Sequence, residues 1–229
     1  MKKEINPTIL QSTFEDIGDN HHSTSVDTPM KEDAFALSDT DKIDLIADKF
    51  AEIMDTLGLD LRDDSLKGTP YRVAKMFVQE IFYGLDPLNK PNMSLFDNKY
   101  QYDKFIIEKD ITVKSTCEHH FLPIVGRAHV GYISQGKVIG LSKINRIVDY
   151  YARRPQVQER MTRQILEELK TILDTDDVIV VVDAKHFCVT TRGIQDDISS
   201  TITLDYSGAF KNKKTRAEFL DLVNAKSNS

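Results

Sequence analysis

Two short segments, Cys117–His120 and His186–Cys188, hold both cysteines of this 229-residue chain and three of its six histidines. Two thiolates and one imidazole supply three ligands to a zinc ion and leave a fourth position open for water. That arrangement is typical of a catalytic zinc site, whereas a structural site is closed by four protein ligands. The fold must therefore bring together two segments that lie far apart in the sequence.

The local spacing is compatible with such a site. Cys117 and His120 are three residues apart, so a turn that leaves a strand can direct both at one point. The second segment lies in DDVIVVVDAKHFCVTTRG, whose valines and isoleucines predict a buried strand over about 177–191. Side chains two apart share one face of a strand, so we expect a row along a cleft wall. The row consists of His186, Cys188, Thr190 and Arg192.

Several interpretations of the cysteines stay open on this basis. A lone cysteine commonly packs as a small hydrophobe, and a disulfide needs an oxidising compartment that nothing here indicates. A zinc-independent enzyme with a nucleophilic cysteine is an alternative, and so is a zinc-stabilised binding module with His119 or His186 as fourth ligand. Histidines beside both cysteines favour the catalytic zinc site, where His119 and His186 would transfer protons.

Composition excludes other classes of function. A formal net charge of −6 argues against a general nucleic-acid-binding protein. No apolar run approaches the length that spans a membrane. The N-terminus has two lysines but neither the apolar core nor the cleavage site of a signal peptide, so we expect a cytoplasmic protein.

Hydrophobic patterning divides the chain into three parts. Residues 1–38 are polar and predict a flexible arm, in which His21 and His22 are expected to be solvated. Residues 39–100 predict a helical segment. Its first helix spans about 40–57, is capped by Asp39 or Thr40 and stops at Gly58, and its second begins with Thr69 as cap and Pro70 in its first turn and ends at Gly84.

The third part, 101–229, is predicted to be the catalytic domain. Strands are expected over 105–113, 124–133, 137–139, 177–191 and 198–206, with a tight turn at 134–136. Helices are expected from a cap at Ser142 to 151, from Pro155 to 172, and over 215–223. This order predicts an α+β fold with helices packed on one face of an antiparallel sheet.

Four strings carry a resemblance to the GTP cyclohydrolase I family. They are GTPYRVAKMF (68–77), STCEHHFLPIVGRAHVGYI (115–133), KVIGLSKINRIVDYYARRPQVQERMT (137–162) and DAKHFCVTTRGIQDDISSTIT (183–203). The resemblance runs from about residue 40 to the C-terminus. It implies a T-fold (tunnelling fold) subunit whose sheets join into a barrel, and a homodecamer of two pentameric rings.

The same resemblance implies an enzyme, a cyclic amidine hydrolase. Its reaction adds water at C8 of the guanine ring of GTP, releases formate and rearranges the ribose to give 7,8-dihydroneopterin triphosphate. This is the first step of pterin or folate biosynthesis. The implied cofactor is Zn²⁺, and the ligands carried over by motif are Cys117, His120 and Cys188.

Catalytic roles follow for three further residues. The resemblance assigns proton transfer to His119 and His186, with His186 as proton donor to the purine, and links Ser142 to the ribose rearrangement. Two alternatives stay open: His119 orients a metal ligand, and Ser142 only caps its helix. Glu118 is expected to be structural or to face solvent, and His129 is expected to be structural.

The substrate is expected to contact a second group of residues. The resemblance places Glu159, next to Gln158, at the guanine ring, whose edge presents two donors from which a carboxylate can accept. The triphosphate requires cations, and Lys143 and Arg146 share a face near a helix N-terminus. Arg192 completes this group, and the resemblance adds Arg72, which is expected to reach the site of a neighbouring subunit.

Overall fold

The structure is a computed structural model that describes residues 25–225, so the predicted bystanders His21 and His22 lie outside the described residues. The helices are α1 (Asp39–Thr56), α2 (Thr69–Met76), α3 (Leu141–Ala152), α4 (Gln158–Leu173), α5 (Phe187–Thr190) and α6 (Lys213–Asn224). The strands are β1 (Leu95–Asp97), β2 (Phe105–Cys117), β3 (Pro123–Ile133), β4 (Lys137–Ile139), β5 (Pro155–Gln156), β6 (Val178–His186) and β7 (Thr201–Tyr206). Within 25–225, no helix is both long enough and apolar enough to cross a membrane.

Five strands form the main sheet, in the order β5-β2-β3-β6-β7. The pairs among β2, β3, β6 and β7 are antiparallel, whereas β5 runs parallel to the end of β2. The sheet is therefore mixed, which differs from the antiparallel prediction at this one edge. The chain bends at residues 135 and 136, within the predicted tight turn, but β4 pairs with β1 and not with β3, which the patterning did not predict.

Helices cover both faces of the sheet. Val178, Val180 and Val182 of β6 pack in the main core, together with the buried sides of α3 and α4. The alternate residues Ile179 and Val181 face the other way and pack with Phe210 and Phe219. Because Phe219 belongs to α6, the prediction that the helices lie on one face is correct for α3 and α4 but wrong for α6.

Several element boundaries differ from the predicted ones. The cap of α1 is Ser38, not Asp39 or Thr40; its hydroxyl accepts from the Asp41 N–H, and the Asp41 carboxylate accepts in return. Thr69 is the first residue of α2 and not its cap. Ser142 lies inside α3, which begins at Leu141 without a side-chain cap, so the alternative that Ser142 caps the helix is wrong.

The ends of α4 and β6 are set by pairing with distant strands. Pro155 does not open a helix, because Pro155 and Gln156 pair with Thr116 and Cys117 and the helix begins only after them. His186 is the last paired residue of β6, opposite Ile124 near the start of β3. The predicted strand therefore stops at His186 instead of running to about residue 191, and a short helix follows.

The N-terminal helical segment is attached to α3 through a close backbone approach at Gly84. After α2 the chain continues through a wider helical turn, Phe77–Ile81, and Gly84 donates its N–H to the Arg153 carbonyl at 3.1 Å. A Cβ at position 84 would lie 2.0 Å from the Tyr150 carbonyl oxygen, which explains the glycine. This contact fixes the helical segment against the domain that carries the two cysteines.

Candidate active site

The two cysteine segments meet where β2 and β6 end. Cys117 is the last residue of β2, His120 lies in the turn that follows, and Cys188 lies in α5 directly after β6. One ligand atom from each of these three residues lies within 4.8 Å of the other two. Cys117 is buried, Cys188 is half-buried and His120 is exposed, so the cluster opens towards solvent on one side.

The chemistry of the three donors suits a zinc ion. Burial, followed by the hydrogen bond and charge of nearby Cys117, raises the pKa of the Cys188 thiol. Two thiols held this close resist becoming two thiolates unless a cation compensates both charges. A dication bound by two thiolates and one imidazole supplies that compensation and retains a position for another ligand. The predicted ligand set therefore fits the group.

An open cavity of about 670 Å³ lies against this cluster. Its lining brings together most of the predicted catalytic and guanine-binding residues with several that the sequence analysis did not assign. It consists of Ser25, Val26, Cys117, His119, His120, Gln156, Val157, Gln158, Glu159, Arg160, Arg163, His186 and Cys188. Glu159 lies in the first turn of α4 and is exposed to the cavity.

The orientation of His186 is fixed by Gln158. Gln158 is 1% exposed, and its amide nitrogen donates to the Val182 carbonyl at 3.0 Å and the Thr201 carbonyl at 2.8 Å. Its amide oxygen must therefore accept, and His186 Nε2 donates to it at 2.8 Å. Burial lowers the pKa of His186, an effect that the charge of Glu159 opposes. Burial thus favours the neutral ring, and the hydrogen bond to Gln158 places its proton on Nε2.

The remaining histidines of the site have different surroundings. His119 Nδ1 lies 3.8 Å from Cys117 Sγ, and its Nε2 lies 3.8 Å from a carboxylate oxygen of Glu118. Arg192 Nη1 donates to His120 Nε2 at 2.7 Å, so Arg192 reaches the cluster although it lies beyond the strand.

The predicted row on one strand face is wrong, because the strand ends at His186. Cys188 reaches the same place from α5.

Five predicted residues do not line this cavity of the single chain, although one of them, Arg192, contacts its wall through the hydrogen bond to His120. Ser142, Lys143 and Arg146 lie at the start of α3, and Arg146 lines a separate cavity with Asp149 and Tyr150. The Arg72 side chain donates to the Ser65 carbonyl and to the Thr69 hydroxyl, each at 3.1 Å.

Sequence reasoning missed Arg160, a buried cation in the cavity wall. It is 5% exposed and forms an ion pair with Glu118, which confirms a structural contact for that glutamate. No local signal marked it, because the residues three and four positions further along the helix, Arg163 and Gln164, are polar as well. His129 is also structural, as expected, since its Nδ1 accepts from the Asp110 N–H at 3.1 Å.

Fold and site together define a subunit in which a cluster of three candidate metal ligands, further imidazoles and a carboxylate face an open cavity. A family model described as GTP cyclohydrolase I matches residues 46–224. GTP cyclohydrolase 1 of Flavobacterium johnsoniae is 58% identical over 210 residues, which cover 92% of this chain and 94% of that protein. The Aeromonas hydrophila protein of the same name is 54% identical over 196 residues, with 85% and 89% covered. The chain belongs to the GTP cyclohydrolase I family and is an enzyme.

Among solved structures, an archaeosine synthase QueF-like protein in its apo form is similar to part of the chain. It is 20% identical, the match covers 47% of this chain and 97% of that one, and the TM-score is 0.39. This likeness is too low to define the fold.

Proposed function

We propose that this enzyme hydrolyses GTP at guanine C8 in a zinc-dependent reaction that releases formate and yields 7,8-dihydroneopterin triphosphate. Family membership supports the substrate and the reaction. The observation that carries the proposal is the convergence of Cys117, His120 and Cys188 in one cavity with His186 and Glu159.

In this proposal Cys117, His120 and Cys188 hold the zinc ion. A zinc ion with an open position supplies Lewis-acid activation of water, which is otherwise a weak nucleophile at neutral pH. The chain contributes a wall that places the ion next to the substrate: β2 and its turn present two ligands, and α5 presents the third.

Glu159 is proposed to bind the guanine edge. Its carboxylate is exposed to the cavity, and it can accept from N1–H and from the exocyclic amine together. The Gln158 side chain makes its hydrogen bonds within the protein, so its contribution to binding is to fix the wall and the imidazole beside Glu159.

His186 and His119 are proposed to transfer the protons. Because His186 is neutral with Nε2 donating to Gln158, its Nδ1 is the atom that accepts a proton first. The protonated ring can then act as the donor that the sequence predicted. His119 stands beside Cys117 and is available for ring opening or for the later ribose steps.

The residues outside the cavity suggest that each site is shared between subunits. Ser142, Lys143, Arg146 and Arg72 lie outside the cavity that Glu159 lines, so in this proposal a neighbouring subunit presents them to the nucleotide. We therefore propose that the subunit is a T-fold that assembles into a decamer of two pentameric rings, as the family implies. The predicted cytoplasmic location and the three-part division of the chain stay predictions.

The direct test incubates the purified protein with GTP and measures formate and the absorbance of a dihydropterin. We expect both products, their loss after treatment with a chelator, and their return after zinc is added. Loss of the folded oligomer together with the metal would favour a zinc-stabilised binding module. Undiminished turnover in the metal-free protein would favour a nucleophilic cysteine and would refute the zinc claim.

A further inference from the structure

Arg160 is a buried guanidinium whose donors join three parts of the cavity wall. Its Nη2 pairs with the Glu118 carboxylate, and its Nε donates to Gln156 Oε1 at 3.0 Å. The same Nη2 donates to the Pro155 carbonyl at 3.3 Å, and Nη1 donates to the Ser25 carbonyl at 3.5 Å. The Arg160 side chain is 2% exposed and that of Glu118 is 22% exposed, so solvent screens this ion pair only weakly.

Glu118 and Arg160 each lie next to residues of the proposed site. Glu118 lies between Cys117 and His119, inside the turn that presents two of the three metal ligands. Arg160 directly follows Glu159 in the first turn of α4. A second link runs in parallel, because the Glu118 N–H donates to the Gln156 carbonyl at 3.1 Å. The ion pair therefore ties the metal-binding turn to the helical turn that carries the proposed guanine carboxylate.

We propose that Arg160 is a positioning residue that, through Glu118, holds the metal-binding turn at a fixed distance from Glu159. This inference rests on the proposed function, since it states that the ion pair sets the distance between the metal and the guanine-binding carboxylate. Neither Arg160 nor Glu118 touches the reacting atoms. A planar guanidinium suits the task because its several donors can engage different partners at once.

Single and paired substitutions of this ion pair are expected to affect stability differently. Removal of one member of a buried ion pair leaves an uncompensated charge and is strongly destabilising, whereas neutral replacement of both members is tolerated. Loss of a contact that orients metal ligands typically weakens metal affinity roughly 10–100-fold. Folding and positioning can therefore be separated by comparing single and paired substitutions.

The experiment uses the full-length, zinc-loaded enzyme and three variants: Arg160→Lys, Glu118→Gln and the double variant Arg160→Met/Glu118→Gln. A matched control is Lys170→Met, which removes a cation of the same helix that pairs with Glu167 and Asp176. For each protein we would measure the melting temperature, the zinc dissociation constant by competition with a chromophoric chelator, and kcat and KM for GTP.

We expect the double variant to melt near the control while its zinc dissociation constant rises roughly 10–100-fold. Its kcat should fall with KM for GTP little changed, because Glu159 is intact. Arg160→Lys should retain more zinc affinity than the double variant. If the folded variants bind zinc and turn over GTP as the control does, the proposal is wrong. Melting temperatures that fall in all three variants in parallel with activity would assign the pair to folding alone and also overturn it.

The two levels of inference fail in different ways. If the wild type and Lys170→Met bind zinc and turn over GTP normally, the proposed function stands whatever the three variants do. If the wild type is active without zinc, the proposed function fails and the positioning role fails with it.

Discussion

At the residue scale, the chemistry of the site depends on which groups are metal ligands and which are proton carriers. Cys188 and His186 are two positions apart but have different partners: the first faces Cys117, and the second donates to Gln158. The sequence was sufficient to select Cys188 as a candidate metal ligand and His186 as a candidate proton carrier, because both cysteines have histidines beside them. It could not predict the state of His186, which depends on Gln158 and on carbonyl groups of β6 and β7.

The two roles can be separated by substitution. Cys188→Ser is expected to lose zinc and turnover together, because it removes one of three ligands. His186→Ala is expected to keep stoichiometric zinc and to lose roughly 10²–10⁴-fold in kcat, the usual contribution of a positioned acid or base. Metal content by elemental analysis and formate release measure the two effects. Loss of zinc from His186→Ala would indicate that His186 is a metal ligand.

Substitutions can also separate recognition of the guanine base from recognition of the triphosphate. Glu159→Ala is expected to abolish binding of GTP, because two guanine donors lose their acceptor. Lys143→Ala is expected to weaken the capture of GTP with its triphosphate and to leave the affinity for guanosine unchanged. Titration calorimetry with both ligands distinguishes these effects. Normal GTP affinity in Glu159→Ala would show that the guanine assignment is wrong.

At the element scale, long periodic segments were predictable and their ends were not. The apolar period identified α1 and α4, because burial of one face imposes that period, and a continuous apolar run identified β6, which is buried on both faces. The end of β6 at His186 depends on where β3 begins, and the start of α4 depends on pairing of Pro155 and Gln156 with β2. Such long-range pairings leave no local signal, and neither does the Arg160–Glu118 pair.

The irregularity in β2 places His129 where we expect the stability of the protein to depend on pH. Register between β2 and β3 shifts between Glu108 and Ile111, Asp110 has a φ of 60°, and His129 Nδ1 accepts from the Asp110 N–H. Burial lowers the pKa of His129; Lys109 and Arg127 act in the same direction, and Asp110 and Asp183 oppose them. Between this lowered pKa and the usual value near 6.5, the unfolded chain binds the proton and the folded chain does not.

The resulting prediction concerns stability below neutral pH. The free energy of unfolding should fall as the pH drops from about 6.5 through the pKa of His129 in the folded state, and the contribution of His129 should be constant above that range. His129→Asn retains an acceptor for the Asp110 N–H but does not titrate, so its decline should be shallower. Denaturant titrations at pH 7.5 and 5.5 measure both slopes. Identical slopes would contradict the assignment.

The C-terminal helix provides a second prediction at this scale. Phe219 of α6 is fully buried against the second face of the sheet, whereas Leu222 on the same helix is 51% exposed. Phe219→Ala is expected to cost about 3–5 kcal/mol in the free energy of unfolding, as for other large-to-small core substitutions. Leu222→Ala serves as the control and should cost much less. Equal losses in the two variants would contradict the packing of α6.

At the scale of the whole molecule, the proposed assembly makes each site depend on more than one chain. Glu159 lines the cavity, whereas Arg146 lies outside it on α3. If neighbouring subunits complete each site, two inactive variants can complement one another in a mixed ring. Some interfaces will then combine an intact Glu159 from one chain with an intact Arg146 from the next.

The expected outcome is recovery of activity on mixing. Glu159→Ala and Arg146→Ala homo-oligomers should each be nearly inactive, and co-refolded mixtures should regain a fraction of wild-type formate release. Light scattering should give about ten times the chain mass of 26.1 kDa for each assembly. A mixture that stays inactive while both variants co-assemble would show that one chain supplies the whole site.

The central claim is that Cys117, His120 and Cys188 bind one divalent ion and that turnover depends on this ion. It is tested most directly by an anomalous difference map, recorded at the zinc absorption edge from crystals of enzyme that was active before crystallisation. The account predicts a single peak within bonding distance of both sulfur atoms and one nitrogen of His120, with one coordination position open to the cavity. A map without a peak there, from protein that releases formate from GTP, would contradict it.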